Sequence, residues 1–88
     1  MDMKDLRMRI DAINKEMLAL FEERMDISVE IARVKKEQGL PVRDPAREAA
    51  ILDEIRTLSK RYPDDAVTLF ETLFALSRGL QEKENQSL

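Results

Sequence analysis

The chain has 88 residues, enough for one small domain and too few for a second core. With 43% hydrophobic and 38% charged residues, two glycines and three prolines, its composition is that of a globular helical protein, not a disordered one. There is no cysteine and no histidine, which excludes disulfides, thiolate chemistry and the usual proton shuttle, and a net charge of −3 argues against a nucleic-acid binder.

Residues 2–38 contain neither glycine nor proline, and Asp2 or Asp5 is placed to cap their start. Leu6, Ile10, Ile13, Met17, Leu20, Ile27, Ile31 and Val34 follow the three-and-four spacing of a helix seam. One helix is therefore expected over about 2–38, ended by Gly39 in a left-handed conformation. Such a rod is about 55 Å long at 1.5 Å per residue. A compact domain of this size has a radius of gyration of only ~12 Å. The remaining chain is too short to cover that seam, so a second copy is expected to cover the rest.

Asp44 and Pro45 open a second helix as N-cap and first helical residue, the favoured order for both. It is expected to run to about 61, with Ile51, Leu52, Ile55 and Leu58 on its apolar face, and to stop before Pro63. The segment YPDDA is the next turn, with Asp64 or Asp65 capping a third helix over about 65–84. Leu69, Phe70, Leu73, Phe74, Leu76 and Leu80 make its stripe, and the tail KENQSL is expected to fray. The expected fold is all-α: a single domain over 1–88 with one very long helix and two shorter ones, paired as a homodimer. No apolar run reaches membrane-spanning length, and the N-terminal MDMKDLRMRIDAINKE lacks the apolar core of a secretory leader, so a cytoplasmic location is expected.

The informative residues are the polar ones that break the apolar pattern. Arg24 falls where the seam of helix 1 calls for an apolar side chain, between Leu20 and Ile27. A buried arginine is costly unless it meets an anion. Lys35 is eleven residues on, about 20° off the same face and ~16 Å away by helical rise. Together the two can close on a small organic acid; singly, each also reads as a snorkelling surface residue. Arg7 lies ~25 Å from Arg24 and about 100° around the helix, out of reach in one chain but within reach from an antiparallel partner. On helix 3, Ser77 and Gln81 continue the face of Phe70, Leu73 and Phe74, either as a pocket wall offering neutral donors or as a fraying end. Asp44 and Glu48 share one face of helix 2 with Arg47 between them, which a capped helix start explains equally well.

With these residues in hand, the chain closely resembles the all-helical chorismate mutases, whose two protomers intertwine to form two active sites. The resemblance runs nearly end to end through LRMRIDAIN, LFEERMDISVEIARVK, LPVRDPARE and LSRGLQ, and the VRDxxRE pattern after a lysine is its specific part. It implies the conversion of chorismate to prephenate by an intramolecular rearrangement, with no cofactor, metal or proton transfer. It further implies that Arg24 holds one substrate carboxylate and that Arg7 of the partner chain meets another. Lys35 and Gln81 would hydrogen-bond the ether oxygen of the breaking bond. Asp44 and Glu48 would contact the ring hydroxyl, with Arg47 and Ser77 completing the pocket. All eight positions carry the expected residue type. A short deletion between helices 2 and 3, and Gly79 within helix 3, are the departures.

Three rivals follow from the same residues. An isochorismate-pyruvate lyase shares the fold and a cationic pocket, but its relatives usually lack the acidic pair that Asp44 and Glu48 supply here. A regulatory or ligand-sensing helical domain acting on a partner synthase would keep the dimer and lose the turnover. A plain coiled-coil scaffold would bind no ligand at all.

Overall fold

The computed structural model describes residues 1–86, which form three helices and no strand. Helix α1 spans Met3–Glu37, α2 spans Pro45–Leu58 and α3 spans Pro63–Gln86. Asp2 caps α1, its carboxylate accepting from the Asp5 amide at 2.9 Å. The other end closes on Gly39, whose φ of 68° is in the left-handed region that a side chain disfavours. The Gly39 amide donates to the Lys36 carbonyl at 3.2 Å and the Leu40 amide to the Lys35 carbonyl at 2.8 Å. These are the two bonds of a Schellman ending, which satisfy carbonyls that the helix leaves without partners.

Asp44 caps α2 by accepting from the Arg47 amide at 3.2 Å, and Pro45 is the first helical residue. This helix stops at Leu58, earlier than the expected 61, because Ser59 swings to ψ 91° and starts the reversal. The chain has only residues 59–62 in which to turn back onto α3. Helix α3 begins at Pro63 itself, since a first-turn residue needs no amide donor and proline is preset for that position. Asp64 and Asp65 consequently sit inside the first turn, where they favour the helix dipole, instead of before it. Asp64 also pairs with Arg56 of α2. The tail expected to fray is helical through Gln86; Ser87 and Leu88 lie outside the described residues.

Helix α3 packs against both α1 and α2, which do not pack on each other. It meets only the C-terminal half of α1, around buried Ser28 and Ala32. Phe70 and Phe74 stack edge to face at 6.4 Å within α3, and Ala32, Val67 and Phe74 are the buried apolar residues. The outcome is elongated, 54 × 28 × 14 Å with a radius of gyration of 16.2 Å, well above the ~12 Å of a compact chain. Residues 1–20 are all exposed, including Leu6, Ile10, Ile13, Met17 and Leu20, which show 47–65% of their surface. Among the described residues no helix is long and apolar enough to cross a membrane.

Gly79 lies in the middle of the last turns of α3, and a Cβ there would meet nothing within 4 Å. Glycine costs roughly 0.5–1 kcal/mol relative to alanine inside a helix. Gly79→Ala is expected to stabilise the fold by up to about that amount, seen as a higher urea midpoint at unchanged slope. Gly39→Ala should do the reverse, because its strain is conformational and not steric. A Gly79→Ala protein less stable than wild type would show that the backbone at this turn is not ordinary helix.

Candidate active site

The two packing faces of α3 leave a cavity of about 320 Å³ at the end of the molecule where α1 stops and α2 starts. From α1 come Arg24, Ser28 and Lys35, one wall at helical spacing, with Ile27 and Ile31 between them. The connection and first turn of α2 supply Val42, Asp44, Arg47 and Glu48. Helix α3 contributes Phe74, Ser77, Arg78 and Gln81. Seven of the eight residues singled out in the sequence therefore line one space. Arg7 does not; it stands on the exposed half of α1.

Arg24 reaches across to α3. Its Nη1 donates to Ser77 Oγ at 2.8 Å, and its guanidinium carbon lies 5.6 Å from the centre of the Phe74 ring. The ring face and the hydroxyl hold the cation without neutralising it, so its charge stays available to the cavity. Ser77, only 8% exposed, has a neighbour in Ser28, 4% exposed. The Ser28 hydroxyl lies 3.1 Å from the Arg24 carbonyl oxygen and 3.2 Å from Ser77 Oγ, and its one proton serves either. Lys35 Nζ donates to the Val42 carbonyl at 2.6 Å, tying the end of α1 to the connection that follows it. Gln81 is 7% exposed, and its amide makes no hydrogen bond among the described residues. Its amide atoms are not themselves enclosed, so they stay open to the cavity that Gln81 lines and free to bond a ligand.

Two lining residues escaped the sequence reading. Arg78 Nη1 donates to both carboxylate oxygens of Glu48 at 2.6 Å. Its position was legible, since it lies four residues after Phe74 and three before Gln81, on the same face. Ser28 was legible in the same way, four residues after Arg24. With Arg78 counted, four cations (Arg24, Lys35, Arg47, Arg78) face two carboxylates (Asp44, Glu48), an excess of two positive charges around the cavity. No three of His, Cys, Asp and Glu converge among the described residues in a way that could hold a metal ion.

A helical protein with a small, partly buried pocket carrying two excess positive charges is built to receive a small dianion. Residues 6–82 match the family described as chorismate mutase type II, and the chain belongs to that family. It is 33% identical over 82 residues to the chorismate mutase of Methanocaldococcus jannaschii, an alignment covering 90% of this chain and 83% of that protein. It is also 32% identical over 84 residues to the T-protein of Haemophilus influenzae. With the bifunctional chorismate mutase/prephenate dehydratase of Aquifex aeolicus the identity is 31% over 88 residues. Those two alignments cover 96% and 93% of this chain but only 22% and 24% of the larger proteins.

Asp44 serves α2 as a cap whatever else it does. Asp44→Ala should cost about 1 kcal/mol in urea unfolding, whereas Asp44→Asn, an equally good cap, should cost almost nothing. Equal losses from both substitutions would mean that the carboxylate charge, and not the cap, is what stabilises this end of the helix.

Proposed function

We propose that this protein rearranges chorismate to prephenate at a site completed by Arg7 of a second copy. The observation that carries the reading is the convergence of Arg24, Lys35, Asp44, Arg47, Glu48, Ser77 and Gln81 on one cavity with two positive charges in excess. The relative named as both a chorismate mutase and a prephenate dehydratase supports prephenate as the product. In support of a homodimer, the apolar stripe Leu6, Ile10, Ile13, Met17 and Leu20 is exposed in the single chain and continues the seam that carries Arg24. Burying large side chains of this kind is worth about 1.5–3 kcal/mol each. An antiparallel partner covering the stripe would carry its Arg7 toward this cavity.

The rearrangement breaks a carbon–oxygen bond and forms a carbon–carbon bond within one molecule, so it requires no nucleophile and no proton transfer. Two tasks remain. The flexible dianion must be held in its folded, reactive conformer, which removes the entropic part of the barrier. Negative charge growing on the ether oxygen must be met as the bond stretches. Arginines suit the first task, because a planar guanidinium grips a carboxylate through two hydrogen bonds. Arg24 takes one carboxylate and the partner's Arg7 the other. Ser77 orients Arg24 through their 2.8 Å bond, and Arg47 adds a cation at the mouth.

Lys35 and Gln81 perform the second task. The Lys35 ammonium uses one of its three donors on the Val42 carbonyl, leaving two for the ether oxygen. The unpartnered Gln81 amide donates from the opposite wall. A cation there binds the transition state more tightly than the substrate, because the charge it meets is larger. Glu48 and Asp44 accept from the ring hydroxyl, Asp44 in part through its backbone.

Lys35→Ala should lose about 3–4 kcal/mol of transition-state stabilisation, the range for a missing oxyanion donor, or roughly a hundredfold to a thousandfold in kcat/KM. Chorismate loss followed by absorbance, with prephenate identified as product, measures it. A near-normal kcat/KM would remove Lys35 from the ether oxygen. The shared site has its own test. Arg7→Ala and Arg24→Ala proteins should each be nearly inactive, and refolding them together should restore up to about a quarter of wild-type activity, one intact site in each mixed dimer. No recovery from mixed dimers that have demonstrably formed would rule out action across the dimer.

A further inference from the structure

We infer that Arg78 is a positioning residue: it holds Glu48 so that the carboxylate presents its remaining acceptor sites to a hydroxyl of the bound substrate. The inference rests on the function proposed above and assigns to that site a residue it did not include.

The pair differs from the other ion pairs of the structure. Its side chains are 27% and 23% exposed, against 63% and 30% for Arg33–Glu84 and 54% and 87% for Arg56–Asp64. Water and salt screen it correspondingly less. One guanidinium nitrogen straddles both carboxylate oxygens at 2.6 Å, which holds the carboxylate in place by both of its oxygens. A carboxylate offers about four lone-pair sites, so one on each oxygen stays open after both bonds form. Both residues line the cavity.

Nothing else fixes Glu48. Its side chain makes no other hydrogen bond among the described residues. Two of the neighbouring cations are engaged elsewhere, Arg24 on Ser77 and Phe74 and Lys35 on Val42, and the third, Arg47, makes no bond to Glu48. Removing Arg78 would act on the substrate through Glu48. Glu48, then a part-buried carboxylate without a partner, would draw Lys35 or Arg47 toward itself and away from the ligand. Arg78 is thus the counter-ion that lets an acid sit among substrate-binding cations without consuming one of them.

The test is a double-mutant cycle on the full chain: Arg78→Met, Glu48→Gln and the two combined, with Arg78→Lys alongside, each assayed for kcat and KM with chorismate and melted by circular dichroism. Arg78→Met should lower kcat/KM on the order of tenfold or more, and Arg78→Lys should recover most of it by restoring the charge. In the Glu48→Gln background, Arg78→Met should change kcat/KM by no more than about twofold, since there is no carboxylate left to hold. Wild-type kcat/KM in Arg78→Met, with or without a lower melting temperature, overturns the inference by reducing Arg78 to a clamp between helices. Losses that multiply in the double variant overturn it too, because Arg78 would then act on the substrate directly. Should Arg78→Met fail to fold, Arg78→Gln carries the same cycle with a neutral side chain. If the wild-type protein forms no prephenate, the proposed reaction fails. The Arg78–Glu48 coupling then still reads out in calorimetric binding of chorismate, where zero coupling refutes it.

Discussion

Helix α3 is the element through which the other two are placed. Helices α1 and α2 do not pack together, so apart from the Lys35–Val42 tie the distances between Arg24 or Lys35 on one side and Arg47 or Glu48 on the other are set by how each helix packs on α3. That packing depends on small residues. Ala32 and Ser28 let α1 approach α3 closely, and Phe74 fills the space beside them. The cavity is what remains between the last third of α1, the first turn of α2 and the face of α3. A cavity made in this way can keep cations near one another, because the helices that carry them cannot swing apart independently.

The pocket's charge arrangement follows from that placement. Arg24 lies on a seam where burial without a partner would be costly. Its energetics become tolerable because Ser77 accepts one hydrogen bond and the Phe74 ring takes one face. Neither partner carries charge, and the same holds for the Val42 carbonyl beneath Lys35. Neutral acceptors orient these two cations and leave their electrostatic attraction for an incoming anion. Of the four cations lining the cavity, Arg78 alone is matched with an acid among the described residues.

Much of this was legible in the sequence because it depends on local rules. The Asp44–Pro45 helix start, the Gly39 stop and the long seam of α1 each need only a few neighbouring residues and the helical period. Arg24 stood out because it interrupts a stripe. Arg78 and Ser28 do not stand out in the same way. Each shares a helix face with a site residue, but its meaning lies in a partner on another helix. Glu48 lies 30 residues before Arg78, and no periodicity within one helix links them. The early end of α2 at Leu58 was hidden too, since Pro63 signals only that a helix must have stopped by then. The exposed N-terminal half of α1 was foreseeable from length alone: a rod that outruns its own domain has to leave part of its seam uncovered.

The connection between α1 and α2 is held at two points, Leu40 and Val42, by one residue. The Lys35 carbonyl accepts from the Leu40 amide while the Lys35 ammonium donates to the Val42 carbonyl. An exposed loop normally tolerates insertions and deletions, because nothing depends on its length. Here each residue added or removed would move the Val42 carbonyl by up to about 3.5 Å, more than a hydrogen bond can span. Residues 38–42 therefore form a measured segment, with almost no freedom in number. Insertions should accumulate instead in the turn at 59–62, which has no side-chain duty in the cavity.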